Sequence, residues 1–231
     1  MTSRLRPSTS RRTAIRRDRG ICPPRPRAEP PPANVDEIVD RFIADIRPRV
    51  TEENRFYSEQ PTIEEVIRAA ATGATREGTM HDHQRRIGYR ALNEFAALLL
   101  ECKAAIAQAR TFDALHAVIA GAAPRGVGAL AVYDTAERIG IWRGIQPRRV
   151  YLHAGTMQGA RALGIRGVKE VEVKDLPKAF RRLDPGEVES CLCIYHRDIA
   201  RIAARDGLRV TNAATAARRR PRSAPRGRAG R

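Results

Sequence analysis

Aromatic residues make up only 5% of the 231-residue chain, which holds a single tryptophan, four cysteines and four lysines. Four cysteines in a chain this long do not make the disulfide framework of a small secreted domain, so a reducing, cytoplasmic setting is expected. No apolar run approaches the ~20 residues of a membrane-spanning helix; the longest dense one is FAALLL, Phe95–Leu100. No membrane partner is therefore expected. The 42% hydrophobic content excludes a wholly disordered chain and leaves room for one globular domain or two small ones.

Arginine is what the chain has in excess. Lys and Arg number 43 against 26 Asp and Glu, for a net charge of +17. Residues 1–32 carry nine Arg and two acids, and residues 211–231 carry seven Arg and no acid. The remaining segment is therefore close to neutral, and the high pI belongs to the tails. Both tails are rich in Pro, Arg and Ser, lack apolar periodicity and are expected to be disordered. Arg-rich tails of this kind bind phosphate backbones without sequence preference. The Arg, Ala, Gly and Pro bias is also what a GC-rich genome writes by default, so the tails are either functional or compositional.

Between the tails the pattern is helical. Asn34 with Glu37 reads as a capping box opening a helix that Pro48 ends, and Thr62 with Glu65 opens a second one that closes at Gly73. Leu92, Phe95, Leu99, Cys102 and Ile106 step by three and four, which predicts one long core helix near residues 90–109. A short helix is expected over 112–120 with Thr111 as its cap. Val150–His153 and Val168–Val173 read as two short strands, and Asp184-Pro185-Gly186-Glu187 as a helix start. The fold class expected is mainly α: a compact helical domain with at most a small two-stranded β element. The expected division is a tail over 1–32, an N-terminal helical region over 33–110, a C-terminal region over 111–210 and a tail over 211–231.

Residues 112–141 read helix, glycine turn, helix, with Arg125-Gly126-Val127-Gly128 at the turn. Two glycines permit a backbone that a Cβ would block and leave amides uncovered at the start of the second helix. Those amides and the helix dipole favour a phosphate oxygen, with Arg125 adding a charge. The segment resembles the helix-hairpin-helix element of DNA repair and recombination proteins, although its Gly121–Pro124 connection is longer than that hairpin usually shows. The resemblance implies backbone contacts through Arg125, Gly126, Val127 and Gly128. Val132-Tyr133-Asp134-Thr135 resembles the segment carrying the catalytic Asp of helix-hairpin-helix glycosylases, but Asp134 lies only six residues past Gly128. It reads more simply as a surface partner of Arg138 at i,i+4. A wider stretch, Gly126 to Tyr195, is similar to a segment recurring in uncharacterised bacterial proteins and implies no activity.

Weaker constellations remain. Gly155, Thr156 and Arg161 follow VYLH as a strand–turn–helix, with Thr156 as cap and His153 nearby, and form a second candidate anion site. Gly159 is expected to let that helix pack closely against a neighbour. Cys191-Leu192-Cys193 with His196 lacks a fourth ligand and reads as buried core thiols. His81-Asp82-His83 reads as a loop or helix start with no partner cluster. No catalytic residue, metal or cofactor is assigned. The sequence points to a binding module contacting nucleic-acid phosphates without reading sequence, DNA first and RNA left open. The alternatives are a helical protein-interaction module and a DNA-acting enzyme such as a glycosylase.

Overall fold

The computed structural model of the chain describes residues 30–210. The Arg-rich C-terminal tail, and all but the last three residues of the N-terminal one, lie outside the described residues. The protein is mainly helical with one two-stranded antiparallel sheet. In chain order the elements are α1 Val35–Arg41, α2 Arg47–Ser58, α3 Ile63–Thr72, α4 Tyr89–Glu101, α5 Lys103–Gln108, α6 Phe112–Gly121 and α7 Ala129–Arg143, followed by β1 Val150–Tyr151, α8 Ala154–Ala162, β2 Glu170–Val171, α9 Pro185–Ile194 and α10 His196–Asp206. Val150 pairs with Val171 and Tyr151 with Glu170. Among the described residues no helix is long and apolar enough to cross a membrane.

Side-chain caps set four of the helix starts. Asn34, Thr62, Thr111 and Asp184 each accept a hydrogen bond from the amide three residues on, at 2.8, 3.2, 3.2 and 2.8 Å. The Asp184 box is reciprocal, because Glu187 accepts from the Asp184 amide at 3.0 Å. At α1 the return bond from Glu37 goes to the Ala33 amide instead.

Three expectations about the helices change. Pro48 does not end the first helix. A π-helical segment, Phe42–Ile46, joins α1 to α2, and Pro48 falls in the first turn of α2, where a missing N–H costs little. The long helix expected over 90–109 breaks at Cys102 into α4 and α5, yet Leu92, Phe95, Leu99 and Ile106 all stay fully buried. The apolar stripe thus survives a break that its spacing does not reveal. The third change is the start of α8: its cap is His153, in extended backbone, and Thr156 sits inside the first turn.

Two large apolar clusters fill most of the interior, beside a small third one around Tyr57, Val66 and Ala69. One joins α1 and the π segment to β1, α8, α9 and α10, so both ends of the described chain close on it. Cys191 is a buried free thiol there, as expected of the CLCIYH segment, but Cys193, also buried, is disulfide-bonded and not a thiol. The other is built from α3 to α7. Gly159 has the expected role, since a Cβ there would lie 2.5 Å from the Leu192 carbonyl oxygen, and α8 and α9 pack in close contact. Helix α7 packs on α2, α3 and α6, and its C-terminal half faces α9 through Glu137, whose carboxylate lies against Gly186. That central position buries polar side chains of α7 that a surface helix would leave in water.

Candidate functional site

The glycine turn lies where expected, between α6 and α7. Val127 N–H donates to the Pro124 carbonyl at 3.1 Å and closes it. Only Gly126 needs to be glycine for its backbone, with φ +98; Gly128 has φ −87, which any residue adopts. A Cβ at Gly128 would meet nothing within 4 Å, so its missing side chain supplies open space and no unusual conformation. Gly128 caps α7 without a side-chain hydrogen bond, and neither its N–H nor that of Gly126 has a partner among the described residues.

The turn opens onto a recess of ≈ 260 Å³ lined by Gly126, Gly128, Leu130 and Ala131 on one side and by His83, Arg86 and Ile87 on the other. Ile87 directly precedes Gly88, which caps α4, again without a side-chain hydrogen bond. Two helix N-termini therefore flank one concavity, each starting on glycine, with their dipoles favouring negative charge there. Arg86 is exposed and makes no ion pair among the described residues, and Arg125 is exposed on the turn beside the recess. Arg125 does not itself line it.

Behind the recess runs a strip of buried polar side chains along α7. His83 Nε2 lies 2.6 Å from Asp134 Oδ2, and the His83 ring stacks on His81 at 5.8 Å between centroids. Asp134 and Arg138 are paired at i,i+4 as expected, at 4.0 Å, but both are largely buried and not at the surface. Arg138 NH1 donates to Gln84 Oε1 at 3.1 Å and to the Ala70 carbonyl at 3.2 Å, and its guanidinium lies 5.3 Å from the centre of the Tyr57 ring. Gln84 is fully buried and presses so close to the end of α3 that a Cβ at Gly73 would overlap its Oε1, at 1.5 Å. Gly73, at φ +66, thus serves both the left-handed helix stop and the seat of Gln84. Burial raises the Asp134 pKa, but the His83 hydrogen bond together with the charges of Arg138, His83 and His153 outweighs it. The carboxyl ends below its usual range.

Further along the strip the balance reverses. Glu137 is pushed up to about 7, first by burial and then by the Asp134 charge. Glu189 on α9 is pushed up to about 8 by burial and by Glu137, although it accepts a hydrogen bond from the Thr156 hydroxyl. His153 is lowered to about 4, mainly by burial. Its Nε2 stands 3.2 Å from Glu189 Oε1 without hydrogen-bond geometry, and both ring nitrogens are buried and unpartnered. His81, beside Tyr57, is lowered to about 3, again mainly by burial. Near neutral pH Asp134 is therefore ionised at the recess, while deeper in Glu189 is largely and Glu137 partly protonated, beside the neutral rings of His153 and His81.

The second candidate site is not drawn to the same surface. Gly155 and Thr156 are buried, Thr156 facing Glu189, while Arg161 is exposed on α8. Sequence reasoning missed His83 and Arg86 as partners of the turn, and Gln84 as a partner of Arg138, because a loop about forty residues upstream of the turn supplies them. No family model matches the chain, and no curated protein or solved structure is similar to it.

Proposed function

We propose that the protein binds nucleic-acid backbones without reading base sequence, seating a phosphate in the recess at the glycine turn. The observation that carries this reading is the convergence of two glycine-started helix N-termini on one concavity with Arg86 and His83 in its wall. Unsatisfied amides, aligned dipoles and a nearby guanidinium are what a phosphate oxygen requires, and none of them distinguishes one base from another. Arg125 on the turn supplies a second charge at the rim. Arg-rich tails add sequence-independent attraction. DNA is the first expected partner, and an RNA backbone offers the same phosphate. A protein-interaction role has less support, because among the described residues Tyr89 is the exposed large hydrophobic side chain. A single exposed ring is not the contiguous apolar patch that a protein partner would cover.

The test is the salt dependence of binding to unrelated oligonucleotides by the full chain. Arg86→Ala and Arg125→Ala should each weaken binding equally on all sequences and lower the slope of log K against log salt by about 1. Slopes identical to the parent's would place the phosphate contacts elsewhere.

A further inference from the structure

Backbone binding does not account for one feature of the recess. A phosphate needs amides and cations; it does not need an imidazole fixed from behind. Yet His83 is held by Asp134 at 2.6 Å, Asp134 by Arg138, and Arg138 by Gln84 and the Ala70 carbonyl, with Gly73 making room for Gln84. Three separate chain segments supply this support, and it places an aspartate, an arginine and a glutamine largely out of water, which is costly unless each is paired. The carboxylate accepts the Nε2–H of His83, which leaves the basic lone pair on Nδ1; that nitrogen has no partner among the described residues. A lone pair fixed in this way, in the wall of a phosphate-sized recess, is the arrangement a general base requires.

We propose that the protein cleaves single-stranded RNA at this recess, with His83 as the general base and Asp134 as its positioning residue. The proposal rests on the backbone-binding reading above. RNA is the substrate because its phosphodiester carries its own nucleophile. One base is then sufficient, and it is the one acid–base side chain in the recess wall. His83 Nδ1 takes the proton of a ribose 2′-hydroxyl, and the 2′-oxygen forms a bond to the adjacent phosphorus. The bond from phosphorus to the 5′-oxygen breaks, its electron pair leaves with that oxygen, and solvent water protonates it. His83 returns its proton to solvent. The products are a 2′,3′-cyclic phosphate and a free 5′-hydroxyl, and no water is consumed. The amides of Gly126 and Gly128 and the Arg86 guanidinium face the oxygens on which negative charge develops. Tyr89, exposed and two residues beyond Ile87 of the recess wall, offers a ring on which an unpaired base stacks, with Arg90 beside it.

The experiment compares a labelled single-stranded RNA with DNA of the same sequence, using the full chain. The parent should produce cyclic-phosphate ends from the RNA and leave the DNA intact. His83→Ala and His83→Asn, shown to be folded by circular dichroism, should cut at least ~100-fold more slowly. Their affinity for the uncleavable DNA should fall far less than the cleavage rate, and added imidazole should restore part of the rate of His83→Ala. Asp134→Asn should slow cleavage at least ~10-fold in kcat with KM nearly unchanged, since the amide no longer fixes the His83 tautomer. A purely structural role for Asp134 would raise KM together with the loss in kcat. Cleavage of both strands alike would overturn the internal-nucleophile step. RNA left whole by a parent that binds it would overturn the proposal and leave backbone binding standing. Equal loss of binding and cleavage in folded His83→Ala would make His83 a binding residue only.

Discussion

Replacing Arg138 by methionine is expected to cost about 3–5 kcal/mol of folding stability, the largest effect of any single substitution considered for α7. Methionine keeps much of the side-chain volume but removes the cation. Asp134 is then left largely buried with its charge balanced only through His83, and Gln84 Oε1 and the Ala70 carbonyl lose their donor. Breaking one side of a buried network is worse than lacking the network, because the remaining polar groups stay desolvated. The double variant Arg138→Met with Asp134→Asn removes both charges and keeps a hydrogen-bond acceptor for His83, so it should recover a large part of the loss. Urea denaturation of the three proteins measures both quantities. A cost below about 1 kcal/mol for Arg138→Met would mean that the pair is solvated, as the i,i+4 spacing alone would suggest.

The second large effect is a decline of stability on the alkaline side of neutrality. Glu137 and Glu189 have folded-state values of about 7 and about 8, above the ordinary 4.5 of glutamate. The folded state therefore binds more protons than the unfolded state between these limits, and stability falls as pH rises through that window. The two buried histidines act in the opposite sense. With values lowered to about 4 and about 3, His153 and His81 remain neutral in the fold while the unfolded chain takes up protons below about 6.5. Their contribution is present above that value and is lost as pH falls. Between about pH 4.5 and 6.5 the two effects offset each other; above 6.5 only the glutamates act. Stability should therefore drop by on the order of 2 kcal/mol from pH 6.5 to 8. Glu189→Gln retains an oxygen for the Thr156 hydroxyl and removes one titration, so most of the decline should vanish. Parallel pH curves for parent and variant would contradict the assignment of these buried protons.

The helix framework was legible because its signals are local. Caps at Asn34, Thr62, Thr111 and Asp184 and the apolar stripe through Leu92, Phe95 and Leu99 act within a turn or two, and the structure uses them all. The glycine turn between α6 and α7 was readable for the same reason. The fate of Pro48 and the break at Cys102 were not, since a π segment and a helix break depend on how neighbours pack. The polar strip escaped notice because its partners are distant in sequence: His83 and Asp134 are 51 residues apart, and Thr156 and Glu189 are 33 apart. One signal was available. Leu130, Ile141 and Trp142 lie on the same side of α7 as Asp134, Glu137 and Arg138, and a helix with apolar residues all round belongs in an interior. Charged residues on such a helix are buried with it, and buried charges need partners.

Gly128→Val tests whether the recess at the glycine turn holds a phosphate. At φ −87, with open space around a Cβ, the substitution leaves the backbone undisturbed and places an isopropyl group beside the uncovered amides. Binding of the full chain to unrelated labelled oligonucleotides at low salt is the measurement, with Gly128→Ala as the smaller step and circular dichroism as the check on folding. If a phosphate sits there, affinity should be at least ~10-fold weaker for valine, with a smaller loss for alanine and the same ratios on every sequence, as expected for a contact to backbone and not to bases. A folded Gly128→Val protein that binds as tightly as the parent would contradict that placement and leave the turn as a structural connection between two helices.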